Sequence, residues 1–183
     1  MNKKLIHTSI CLLFAFGISI NAQDWPQYLG PNRNSTSPEK GILCTWPATG
    51  PEVLWTADLG PGFGGPVIKN GKAYLLDRDD KTGDVMRCFD MKTGKELWKF
   101  GYEAPGTVEF PGSRSVPAVD DKNVYSCGHN GDLYCIDINT HQPVWHKNVW
   151  TDFGGQPAGN SEGGFSALQI GRASCRERVC HYV

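Results

Sequence analysis

Three stretches of the sequence carry residue types able to bind or react, and each has a competing structural reading. Gly60-Pro61-Gly62-Phe63-Gly64-Gly65 matches the glycine pattern of a dinucleotide loop. The next residues are Pro66-Val67-Ile68, the start of a strand and not a helix whose N-terminus could hold a phosphate, so a loop leading into a strand is expected. Asp77-Arg78-Asp79-Asp80-Lys81-Thr82-Gly83-Asp84 resembles a calcium loop in its acids. Lys81 and Thr82 stand where an acid and a glycine are needed and position twelve is Cys88, which makes a solvated hairpin turn the better reading. Arg114, between Ser113 and Ser115, either contacts an anion or satisfies loop carbonyls. His129 and His146 have no carboxylate or second histidine at ligand spacing, and no Gly-x-Ser-x-Gly elbow supports hydrolase chemistry. Asn34-Ser35-Thr36 is a glycosylation sequon that matters only in a eukaryotic secretory route.

Composition narrows the partners. The chain has 183 residues with 22 Gly and 12 Pro, and 18 Lys and Arg against 19 Asp and Glu give a net charge of −1. There is no basic footprint for nucleic acid. At the N-terminus, Lys3 and Lys4 precede an apolar run from Ile10 to Ile20 that ends in Asn21-Ala22-Gln23. At about 1.5 Å per residue this run is too short to cross a hydrocarbon core of about 30 Å. A signal peptide over residues 1–22 is expected, with a retained anchor as the alternative, and no membrane span remains after cleavage. Cys11 lacks the small residues before it that a lipoprotein signal shows. The mature protein is then periplasmic or secreted, where disulfides are permitted. From Ser166 the composition breaks into an Arg- and Cys-containing stretch to Val183, read as a non-native tail over 166–183. Its Cys175, Cys180 and His181 have no recognised zinc spacing.

Between these ends lies a repeat. Pro66 to Leu75 overlays Pro117 to Ser126 with Tyr74 on Tyr125, an offset of 51 residues, while Asp90 and Trp98 overlay Asp137 and Trp145 at an offset of 47. Four extra residues in the first copy's turn, around Asp79 to Gly83, reconcile the two. Glu52-Val53-Leu54-Trp55 repeats the closing phrase alone, 43 residues before Trp98. Each copy reads as four short strands bounded by Asn70-Gly71, Thr82-Gly83-Asp84 and Thr93-Gly94-Lys95 or their counterparts. Such a unit cannot bury both faces alone and must stack on copies of itself, and radial stacking gives a β-propeller. The fold class is therefore all-β, a partial propeller of four-stranded antiparallel blades. Its expected parts are a blade end at 50–60, blades at 64–101 and 113–149, and the start of another at 150–165. Cys88 and Cys135 share one repeat position on the third strand, where core thiols are expected. Cys127 lies across a hairpin from the strand carrying Cys135 and could bond it. Cys44 has no obvious partner.

The phrase Cys88-Phe89-Asp90-Met91-Lys92-Thr93-Gly94-Lys95-Glu96-Leu97-Trp98 resembles the tryptophan-docking repeat of the pyrroloquinoline quinone (PQQ)-like β-propellers. The resemblance implies that Asp90 starts a turn, Gly94 lets it close, and Trp55, Trp98 and Trp145 pack between neighbouring blades. The second copy keeps Asp137 and Trp145 but has His141 in place of the glycine. The opening Asp24-Trp25-Pro26-Gln27-Tyr28-Leu29-Gly30-Pro31 is similar to secreted members of the family.

The family serves both enzymes and scaffolds. One branch, the PQQ-dependent alcohol and sugar dehydrogenases, holds the quinone on the propeller axis with calcium and uses an Asp base; the anion-contact reading of Arg114 extends to a quinone contact under this branch. The other resembles BamB, the outer-membrane assembly factor, which binds protein through its loops without a redox cofactor. No catalytic set stands out, and propellers of this family have more blades than this chain holds, so an N-terminal fragment is expected. The expectation is a non-catalytic binding or assembly scaffold without a cofactor, contacting protein or a small ligand through propeller loops. A truncated PQQ-dependent dehydrogenase with PQQ and calcium is the alternative.

Overall fold

The computed structural model describes residues 23–79, 81–106 and 111–154. The expected signal peptide over 1–22, the expected non-native tail over 166–183 and the segment 155–165 lie outside the described residues. Among the described residues, eight strands form two antiparallel sheets and there is no helix. The first sheet takes the order β1 (Val67–Lys69), β2 (Lys72–Asp79), β3 (Gly83–Asp90), β4 (Glu96–Glu103), and the second takes β5 (Ala118–Val119), β6 (Asn123–Cys127), β7 (Asp132–Asp137), β8 (Pro143–Asn148). Consecutive strands are neighbours throughout, as short hairpin turns require. The Asn70-Gly71 turn has both residues at positive φ, 50° and 71°, the geometry that matches the twist of a tight hairpin.

Register decides which side chains share a face. Tyr74, Cys88 and Trp98 sit side by side across β2, β3 and β4, and Leu76, Met86 and Phe100 form the next rung. These six meet Val119, Val124, Tyr134 and Ile136 of the second sheet to form the main hydrophobic core. At about 25 cal/mol per Å² of apolar area removed from water, such a seam is the chief source of stability for sheets this small. Burial also pushes the Cys88 thiol up to about 11, so it is a packing residue and not a nucleophile.

One expectation needs correction. The four extra residues of the first copy do not lengthen a loop. They extend β2 and β3 by further rungs, ending in Arg78 opposite Asp84 and Asp79 opposite Gly83, because an antiparallel ladder gains hydrogen bonds by growing in pairs. Of the two readings open for Cys127 and Cys135, the structure has the thiols, both free and buried. Tyr125 is the cross-strand neighbour of Cys135, and Cys127 sits opposite Leu133, so the two thiols are out of register. In addition, residues 51–60 form no strand and Val53 and Leu54 are exposed, since the closing phrase there has no neighbouring strand to pair with among the described residues.

Alkylation in denaturant without reductant, read by mass spectrometry, should modify both Cys127 and Cys135; a non-alkylated pair would contradict the register.

Candidate functional site

Strand direction sorts the turns onto two sides. β1 runs toward the Asn70-Gly71 turn, and the turns at 90–95, 120–122 and 137–142 lie on that same side, the lower face. The hairpin joining β2 to β3, the segments 104–106 and 111–117 and the hairpin at 127–132 lie on the upper face. The lower face is built from aspartates that fold turns. Asp90 Oδ1 accepts from the Lys92 and Thr93 amides at 3.0 and 2.8 Å and from Thr93 Oγ1 at 2.8 Å. The Thr93 hydroxyl and then the amides hold its carboxyl below the ordinary value of 3.8. Asp137 repeats this with the amides of Thr140 and Asn139, both at 2.8 Å, which lower its pKa likewise.

On the first of these turns stands Trp55. Its indole Nε1 donates to Met91 O at 2.8 Å, and Gly94, at φ +70°, lies under the ring so closely that a Cβ would be 2.6 Å from it. His141 occupies the corresponding place in the second turn, holds φ +60°, and makes the same amide bond back to Asp137 O that Gly94 makes to Asp90 O. The backbone turn is therefore kept without glycine. What changes is the indole: Trp98 stacks on the His141 ring at 4.9 Å and 18°, and its buried Nε1 has no acceptor. Trp145, on β8, is 40% exposed and packs beside Tyr125 at 6.2 Å.

The upper face is built from glycines and a buried ion pair. Ser113 O accepts from Phe63 N at 2.7 Å and from Gly64 N at 3.3 Å, which clamps the Gly60–Gly65 loop onto the loop leading into β5. A side chain on Gly64 would strike Ser115 O, and one on Gly112 would strike Pro61 O. Arg114 sits half-buried in the clamped loop, between the buried Ser113 and Ser115. Asp77 pins the same region from the sheet, taking Gly60 N at 3.1 Å and Arg87 Nη1 at 2.9 Å, and Arg87 reaches on to Glu96 at 2.6 Å. Between this segment and the first sheet is a cavity of about 520 Å³ lined by Trp55, Leu59, Leu75 and Phe89 among others. Arg78 and Asp84 pair at 3.0 Å with side chains 0% and 1% exposed, and Arg78 Nη2 donates to Ala104 O and Gly106 O at 3.0 and 2.8 Å.

The family model described as outer membrane protein assembly factor BamB matches residues 34–157. The chain belongs to this family of PQQ-like repeat propellers. No curated protein matches the chain. Among solved structures, BamB from Moraxella catarrhalis is 21% identical over 56% of this chain and 39% of that one, with a TM-score of 0.33. Quinohemoprotein alcohol dehydrogenase from Comamonas testosteroni is 21% identical over 51% of this chain and 14% of that one, TM-score 0.43. A europium-containing methanol dehydrogenase is 17% identical over 51% and 17%, TM-score 0.38. The chain thus spans well under half the length of each.

Within this BamB-family arrangement, sequence reasoning missed the Arg78, Asp84 and Tyr102 rung. These three extend the core face of the first sheet to its upper end, where Gly128 of the second blade leaves room for them; a Cβ there would strike Asp84 Oδ2. Burial raises the Asp84 carboxyl against the pull of Arg78, and burial with Asp84 nearby raises the Tyr102 hydroxyl. The available signal was the longer hairpin, with Arg and Asp placed symmetrically about its tip. Also missed was the carboxylate beside His146: Asp132 Oδ1 lies 3.0 Å from Nε2, brought there by the β7–β8 register. As for a quinone with calcium, no three of His, Cys, Asp and Glu converge among the described residues, and Asp79 Oδ1 of the acidic hairpin accepts from Lys81 N at 2.8 Å.

Gly94→Ala should destabilise the protein by about 1–3 kcal/mol in urea unfolding, from left-handed backbone strain and the clash with Trp55. Arg78→Met should cost about 3–5 kcal/mol by leaving Asp84 buried without its cation, and Arg78→Met with Asp84→Leu should recover most of that.

Proposed function

We propose that the chain is part of a periplasmic or secreted propeller that works as a non-catalytic binding or assembly scaffold, engaging a protein or small ligand through its upper-face loops. The observation that carries this reading is the glycine clamp. Phe63 is 67% exposed on a loop whose backbone is bonded to Ser113 O, with Gly62, Gly64 and Gly112 pressed against neighbouring backbone. An aromatic held out on a fixed loop loses little conformational entropy on contact, which favours a binding role. Phe153, also 67% exposed, extends the apolar character of the same side. The BamB family match supports the scaffold role over the greater part of the chain.

A second reading, a PQQ-dependent dehydrogenase, draws on Arg114. Its loop leads into the innermost strand of a blade, and a guanidinium is the group suited to an anionic ligand there. The two readings separate in one experiment on the full-length gene product incubated with PQQ and calcium. The scaffold reading expects the quinone absorbance to wash out on desalting and no dye-linked oxidation of alcohols. Retained absorbance together with alcohol oxidation, both lowered by Arg114→Ala, would overturn it.

A further inference from the structure

The segment 24–30 belongs to neither blade, yet it fastens both. Trp25 forms an antiparallel bridge with Ile68, N to O at 2.9 Å in each direction, on the edge of β1 opposite β2. The next carbonyl, that of Pro26, accepts from Val119 N of the second blade at 2.8 Å. Asp24 Oδ1 takes the Asn70 amide at 2.9 Å, and Lys69 Nζ lies 3.7 Å from Asp24 and 3.0 Å from Asp121 of the second blade. Beyond Pro26 the chain turns back on itself. Gly30 N donates to Gln27 O at 3.0 Å, and Gly30 at φ +76° lies against the Trp25 indole, where a Cβ would be 2.7 Å from the ring.

Each residue type answers a local demand. The aspartate meets an amide and an ammonium group at the end of β1. Trp25 uses both of its backbone groups. Proline is admissible next because only its carbonyl is used, and its missing N–H faces no acceptor. The contacts are those of β-addition, in which an extended peptide satisfies the open edge of a sheet. In a propeller the first strand of each blade lines the axis, so this edge is an inner one.

We propose that the inner edges of β1 and β5 form a docking groove for one extended peptide of the Asp-Trp-Pro-Gln type, and that residues 24–27 fill it as an exchangeable strap. Attachment rests on a few backbone hydrogen bonds, partly exposed ion pairs and the buried Gln27, a small set of contacts that opens locally below the free energy of global unfolding. The strap occupies the groove in cis. The same sequence supplied in trans competes for it.

The test uses the full chain carrying Asp24→Ala and Trp25→Pro, which removes the carboxylate and the bridging N–H. Hydrogen exchange resolved to single amides should show Ile68 and Val119 exchanging about tenfold faster or more, with Leu76 and Met86 unchanged. A synthetic peptide of residues 23–31 should restore protection at both amides, and the same peptide with proline at the tryptophan position should not. Unchanged exchange at Ile68 and Val119 would overturn the proposal. So would acceleration at every amide or failure to fold, either of which makes the strap an inseparable part of the core. Local acceleration that the peptide does not reverse would also overturn it, because the edge would then hold no groove.

Discussion

A four-stranded sheet has two faces and can bury neither by itself, so the contact between the two sheets governs the rest of this chain. Tyr74, Leu76, Met86, Cys88, Trp98 and Phe100 present one continuous apolar face because alternate residues on three paired strands point the same way. The second sheet answers with Val124, Tyr134 and Ile136. Everything else trims the ends of that seam. At the lower end, aspartate turns and indoles close it. At the upper end the apolar rungs give way to Arg78, Asp84 and Tyr102, which lie over Gly128.

The two ends differ in chemistry because they solve different problems. Lower turns reverse the chain between adjacent strands, and an aspartate accepting two following amides does this with one side chain. Besides two hairpins, the upper face has connections that must carry the chain from the outermost strand of one blade to the innermost strand of the next. They cross neighbouring backbone on the way, which is why Gly64 and Gly112 meet carbonyls with no room for a Cβ. A fold with this division has a structural side and a side whose loops can vary without disturbing the turns, a natural place for recognition.

Much of this was legible in the residues. The repeat of Asp90 and Trp98 at Asp137 and Trp145, with turn residues between short β-branched runs, is enough to specify four strands per unit and the stacking of units. The missing glycine at His141 was visible too, but its outcome was not: backbone bonds to Asp137 hold the left-handed conformation, and the cost falls on the Trp98 indole instead. Register was the main thing hidden. A shift of one residue moves a side chain to the other face, and sequence spacing cannot separate Cys127 beside Cys135 from Cys127 beside Leu133. The Arg78–Asp84 pair was hidden for a related reason. Their charges look like a solvated turn until the ladder is seen to continue past them into the seam.

The longer β2–β3 hairpin makes the two blades unequal members of one series. Arg78 and Asp84 project from the first blade into space left by Gly128 in the second, so the fit is directional: protrusion on one side, recess on the other. Blades that arise by tandem duplication start out interchangeable, and order along the ring then carries no information. A lock of this kind removes that freedom. A copy of the first blade inserted in the second position would place Asp77 where Gly128 now gives way, and the neighbouring pair would lose its seat. Gene rearrangements that shuffle blades are thereby penalised at this joint, and the order of these two units becomes a fixed property of the molecule.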